Sequence, residues 1–256
     1  MQKVLYKVNN KLELVKHKTE TKTKFFLRVL NKRENLFFIH SFLMTNIPFT
    51  NANIFTKQKE NQYINIDLYF DDVIPLKKLL KKKYFNYDNL ERLYTTLSNQ
   101  INTLHHHNYG FPSLHIDDIF FFKGPTNTFC YLNIEQMCRI NGDNNLIIEK
   151  PIKLHDFSDI LVKQLKSVPD DSIYFSVSYF SLGKIVLKLL SRENYSDNKI
   201  IKTKLPTSKS SKASKATKTA KTSTKDLLHK IKDTKLYYAM KRNLTKNLNE
   251  RYSLII

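Results

Sequence analysis

Apolar residues recur along this chain with two different periods, and the change between them falls near residue 70. Val4, Tyr6 and Val8 alternate with other residues, Leu12 and Leu14 repeat the pattern, and the run FFLRVL follows at 25–30. A period of two sets one side of an extended chain against a core, so these segments predict strands. The segment ENLFFIHSFLM at 34–44 predicts a helix, and YINIDLYF at 63–70 predicts a further strand running into the acidic pair Asp71-Asp72. The first third therefore reads as strand-rich with one helix.

Beyond residue 70 the helical period takes over. Leu93, Leu97, Ile101 and Leu104 are spaced four, four and three, which stacks them on one helix face. Asp88 is the expected N-cap, and Gly110 the expected end of that segment. Two short apolar runs, IFFF at 119–122 and FCYL at 129–132, flank the turn-rich KGPTNT and predict a hairpin. Residues 173–190, IYFSVSYFSLGKIVLKLL, are apolar on nearly every side, as in a helix buried within a helical layer. A last helical segment is expected over 226–246, with Arg251 after it.

Composition changes this picture at one place. The chain has 256 residues, 41% of them apolar, enough for one large domain or two lobes around a shared cleft. Its net charge is +20, and the segment from Lys199 to Lys225 carries nine lysines and no acid. Within it, lysine recurs at 209, 212, 215, 218 and 221 among Ser, Thr and Ala. A period of three is not helical and the segment has nothing to bury, so 202–225 is expected to be a disordered insert inside the domain. Three readings of it stay open: nucleic-acid binding through phosphate contacts, chiefly over 207–225; a nuclear-import or phosphorylation segment; or a solvated loop without a dedicated partner.

Two cysteines, Cys130 and Cys138, make neither a disulfide framework nor a zinc site. No apolar run has signal-peptide or membrane-spanning length. The expectation is an intracellular, soluble protein, cytoplasmic or nuclear, without a membrane partner.

The segment LHHHNYGFPSLHIDDIFFF at 104–122 resembles the catalytic-loop region of the protein kinases. That family ends a long helix in Leu-His and continues through H-R-D, L-x-x-x-N and a short apolar strand. Leu104-His105, Leu114 and Ile119-Phe120-Phe121 fit this frame without a gap. YFSLGKIVLKLL at 179–190 resembles the family's central buried helix, with Ser178 where an aspartate usually sits. FFLRVL resembles its third strand, Val168-Pro169-Asp170 its A-P-E element, and LTKNLNER at 244–251 its closing element. The resemblance implies an α+β, bilobal kinase-like fold over 1–256, with an N-lobe at 1–70 and a C-lobe at 71–256. It also implies a structural pair between Arg251 and Asp170.

The same frame lacks the family's chemistry. Phe111-Pro112-Ser113 stands in place of H-R-D, Asp118 in place of the metal-binding asparagine, and Asn133 in place of the aspartate that holds magnesium. Ser113 is neutral near pH 7 and is no substitute for a carboxylate. Asn133 offers magnesium one neutral oxygen where the ion prefers anionic ones, which leaves Asp118 as a weak metal candidate. Arg28 takes the place of the phosphate-clamping lysine, and Asn35 to Lys59 contains no acid to pair with it. The phosphate loop needs glycine for close backbone approach, yet no glycine precedes Gly110.

The expectation is therefore a pseudokinase that binds a kinase or a kinase substrate, with no cofactor. An alternative register makes His115-Ile116-Asp117 the H-x-D element, with Asp117 catalytic in an active, ATP- and magnesium-dependent Ser/Thr kinase. A basic nucleic-acid-binding protein is the remaining class. His105, His106 and His107 point in different directions from a helix end and are expected to be solvated rather than ligands. Asp71-Asp72 and Asp117-Asp118 are expected to be turn or surface groups.

Overall fold

The computed structural model describes residues 1–9, 11–30, 63–81, 85–124, 126–149, 159, 172–191 and 223–252. The expected helix at 34–44, the Val168-Pro169-Asp170 element and the lysine-rich residues 202–222 lie outside the described residues. The fold is mixed α+β, and the described residues form three antiparallel sheets and a few helices.

The first sheet is the meander β1 (Gln2–Val8), β2 (Leu12–Lys18), β3 (Thr23–Leu30) and β4 (Tyr63–Leu68), paired in that order. Its first turn is tight. Lys11 N–H donates to the Val8 carbonyl at 3.0 Å, and Asn9 takes a φ of 47°, a left-handed conformation that asparagine tolerates better than most side chains. Tyr6, Leu14, Leu27 and Ile66 lie across from one another on one face, and Lys7, Glu13, Arg28 and Asn65 on the other. The expected common face of Val4, Tyr6 and Val8 is broken by a bulge between Val4 and Tyr6. Val4 opposes Val15 and is 48% exposed, while Tyr6 opposes Leu14 and turns with Val8 to the buried face. One extra residue in a strand reverses every side chain that follows.

The second part begins with β5 (Asp72–Pro75) and the single turn α1 (Leu76–Leu79). The long helix α2 (Tyr87–His106) then buries Leu90, Leu93, Leu97, Ile101 and Leu104 on one face, as the spacing predicts. Its cap differs from expectation: Asn86, not Asp88, accepts the hydrogen bond, from Asn89 N–H at 3.0 Å. The chain reverses after His106 at Asn108, whose φ is 62°, and not at Gly110. Gly110 belongs to β6 (Tyr109–Gly110), where a Cβ would lie 2.8 Å from a methyl of Leu146 and would make that side chain shift.

The expected hairpin forms as β7 (Ile119–Lys123) and β8 (Thr128–Tyr131), with β5 on the far side of β7. Before and after it, β6 pairs with β9 (Cys138–Ile140), and the sheet continues through β10 (Asn145–Ile147) to β11 (Ser172–Tyr174). The helix expected over 173–190 therefore starts later, as α3 (Val177–Leu190), because its first residues complete a sheet. The single helix expected over 226–246 is two, α4 (Thr224–His229) and α5 (Lys235–Asn243). Asp233, at φ 67°, breaks the chain between them, and Thr234 caps the second. Ser223 and Asp226 form a reciprocal capping box on α4, so 223–225 belong to that helix and not to the expected insert.

One continuous apolar core joins the first sheet to the helices, from Val8 and Leu12 through Phe120 and Phe129 to Leu236 and Met240. Among the described residues no helix is long and apolar enough to cross a membrane. Burial pushes the Cys130 thiol and the Tyr131 hydroxyl well up, and lifts Tyr94 to about 12. The unfolded chain releases these protons at lower pH than the folded one. Stability is thus expected to fall as pH rises past about 9, and faster past about 10, by about 1.4 kcal/mol per pH unit for each group. Urea unfolding followed across this range checks it; a flat profile would count against buried, neutral thiol and phenol groups.

Candidate functional site

The loop at 111–114 is held from below by α3. Ser178 Oγ donates to the Phe111 carbonyl. Leu114 N–H donates to Ser181 Oγ at 2.8 Å, and Ser181 Oγ in turn donates to the Leu114 carbonyl at 3.3 Å. These serines stand three apart and so face the same way from the helix. The small side chains let the loop lie against α3, and Phe111, Ser113 and Leu114 are fully buried. Ser113 therefore lies inside the core, where no substrate hydroxyl reaches it.

The chain then makes a 3-10 turn, Ile116–Asp118, capped by His115. Asp118 N–H donates to the His115 carbonyl at 3.1 Å, and the Asp118 carbonyl accepts from Leu132 N–H at 2.9 Å. The backbone thus ties this turn to the end of β8. As a result Asp118 meets Asn133, whose amide nitrogen donates to Asp118 Oδ2 at 2.8 Å. The other carboxylate oxygen accepts from Tyr6 Oη at 2.7 Å, across 112 positions of sequence. The Tyr6 ring rests edge-on against Phe120, with centroids 4.8 Å apart.

Both oxygens of Asp118 are thus occupied by donors from the protein itself. Burial, and after it the Asp118 carboxylate, push the Tyr6 hydroxyl well above its ordinary range. The proton stays on the phenol, and the bond to the carboxylate is charge-assisted. Tyr131 is raised in the same way, by burial first and by Asp118 next. Chemically this is a hydrogen-bond cluster of a phenol, a carboxylate and an amide, with no nucleophile beside a base; the buried Asn133 Oδ1 has no hydrogen-bond partner among the described residues. Among the described residues, Asp118 and Asn133 are the two expected site positions brought together here.

The others lie elsewhere. Asp117 projects outward and pairs with Lys77 at 3.2 Å on the exposed side of the turn. Arg28 occupies the sheet face opposite Tyr6, so it cannot stand where a clamp on the Tyr6 side would. It bonds Glu13 at 3.2 Å, and the strand's register decides this, since a shift of one residue would exchange the faces. Arg251 pairs with the carboxylate of Asp159 at 2.6 Å, and its expected partner Asp170 lies outside the described residues. Of the three histidines, His105 stacks flat on Phe175 at 3.7 Å, and His106 and His107 are exposed. Among the described residues no group of three or more His, Cys, Asp or Glu side chains could hold a metal ion.

Sequence reasoning missed Tyr6, Ser181, Asp159 and Gln100. Gln100 alone left a trace: it falls three residues after Leu97 and four before Leu104, a polar side chain on the apolar face of α2. Nothing in the order of residues marks the bulge that aims Tyr6. No protein-family model matches this chain, and no curated protein matches it.

Proposed function

We propose that this chain is a catalytically inactive, kinase-like protein of two lobes that acts by binding a protein partner, either a kinase or a kinase substrate. The observation that carries the reading is the state of Asp118. It is the one carboxylate at the positions aligned with the kinase metal ligands, and Tyr6 Oη and Asn133 Nδ2 already occupy it. Magnesium would have to displace both donors and then find a neutral amide as its second ligand.

Two further features support the kinase-like frame, and a third supports the loss of its chemistry. The long helix α2 leads into a loop anchored on a buried helix through Ser178 and Phe111. The β7–β8 hairpin follows, and the strands on either side of it, β6 and β9, pair with each other. The β1–β2 turn, where kinases place a glycine-rich phosphate loop, closes tightly on Asn9 instead. A loss of chemistry leaves the docking surfaces of such a fold in place.

The test is thermal unfolding with ATP, with and without magnesium, beside transfer of labelled phosphate to a generic protein substrate. A ligand of the folded state at about 100 times its Kd adds about 2.7 kcal/mol, or about 5–10 °C for a chain of this size. The expected shift is under about 1 °C, with no transfer. A magnesium-dependent rise together with transfer that Asp118→Ala or Asp117→Ala abolishes would establish an active kinase in its place.

A further inference from the structure

Helix α5 turns its apolar side inward through Leu236, Ala239 and Met240, all fully buried. The opposite side is composed differently. Lys235, Tyr238, Lys241 and Arg242 are spaced three or four apart and share the outer face. Tyr238 is 55% exposed and Tyr252 is 45% exposed, two of the few large apolar side chains in the described residues that lie open. Tyr252 joins the helix because the Arg242 guanidinium sits over its ring, 4.4 Å from the centroid. Tyr238 in turn is held edge-on against Tyr237, with centroids 5.2 Å apart. No acid lies within α5, and Lys235 and Lys241 form no ion pair among the described residues.

An exposed phenol ring gains nothing in water, and two of them fixed among cations that form no ion pair among the described residues, one of which, Arg242, lies over a face of Tyr252, form a surface of a particular kind. The cations suit a chain of phosphates, and the rings suit flat apolar partners spaced along that chain. A duplex hides the faces of its bases; a single strand presents them. An acidic peptide would satisfy the charges and leave the rings without partners.

We infer that the outer face of α5, with Tyr238 and Tyr252 as stacking platforms and Lys235, Lys241 and Arg242 as phosphate contacts, binds single-stranded nucleic acid. This interface is separate from the site around Asp118 and stands whether or not the kinase-like reading holds. It also differs from phosphate binding by the lysine-rich segment, which offers charge and no aromatic ring.

The experiment titrates the full chain into labelled oligothymidylate and follows fluorescence anisotropy at several salt concentrations near 0.15 M, with a duplex and polyglutamate as competitors. The parent is expected to bind the single strand and to prefer it over both competitors. Tyr238→Ala with Tyr252→Ala is expected to weaken binding about tenfold or more with little change in salt slope, whereas Tyr→Phe at both positions retains it. Lys235→Gln with Lys241→Gln is expected to reduce the salt slope by about 1.4, two phosphate contacts on a single strand. These side chains are exposed, and an unchanged melting temperature would show that each variant is folded. The proposal is overturned by absence of binding, by equal competition from duplex or polyglutamate, or by tyrosine variants that bind as the parent does. It is overturned equally if only deletion of 207–222 removes binding.

Discussion

Arg251→Ala is expected to destabilise this protein by about 3–5 kcal/mol, the usual cost of removing one partner from a buried ion pair. Arg251 is 4% exposed and its Nη1 lies 2.6 Å from Asp159 Oδ2, whose side chain is 2% exposed. Removing the guanidinium leaves that carboxylate inside the protein without its counter-charge. Two more contacts go with it: Nε donates to the Thr245 carbonyl at 2.7 Å, and the guanidinium stacks over the Phe180 ring at 4.6 Å. The loss should lower the melting temperature by about 6–20 °C in a chain of this length. Arg251→Met paired with Asp159→Leu should recover most of it, because two apolar side chains of similar volume carry no desolvation cost. Thermal unfolding of the single and double variants is the measurement. A single variant as stable as the parent would mean that the pair is hydrated in solution.

Gln100→Leu is expected to cost about 2–6 kcal/mol, the penalty for leaving two buried backbone groups unpaired. Gln100 is 1% exposed, and its amide meets one residue twice. Its Oε1 accepts from Tyr131 N–H at 3.0 Å, and its Nε2 donates to the Tyr131 carbonyl at 2.8 Å. The side chain acts as a missing neighbour strand for the open edge of β8, and it joins α2 to the hairpin. Leucine has nearly the same volume, so the loss reports the hydrogen bonds more than a cavity. Gln100→Glu should be nearly as harmful, since a carboxylate cannot donate to the carbonyl. Denaturant unfolding measures both, and hydrogen exchange at the Tyr131 amide should accelerate with them. Because Asn133 lies two residues beyond Tyr131, the same variants should loosen the Asp118 cluster. A change below about 0.5 kcal/mol, the range of ordinary surface substitutions, would show that water replaces the glutamine.

Much of the chain was legible before its fold was known. The face formed by Leu93, Leu97, Ile101 and Leu104, the hairpin around 123–128 and the strands of the first sheet all appear where the periods place them. Local pattern carries this information because side-chain direction repeats along a helix or strand. Element ends were less legible. Asn86 rather than Asp88, and Asn108 rather than Gly110, serve as the cap and the reversal. Either residue type suits either task, and only the closing geometry selects between them. The boundary at α4 moved because a capping box needs its two members in register, which composition alone does not display.

By itself, the sequence determined the buried face of α2, the β7–β8 hairpin and the strands of the first sheet, where lysine gathers, and that no glycine precedes residue 110. Those are properties of neighbouring residues and of counts. The tertiary structure alone decided that Tyr6 reaches Asp118, that Asp159 partners Arg251, that Arg28 faces away from the Tyr6 side of the sheet, and that Tyr238 and Tyr252 stay open beside cations. Each joins residues far apart in sequence or depends on a strand register. A bulge of one residue or the choice among many carboxylates changes such a contact without altering the periodicity that local reasoning reads.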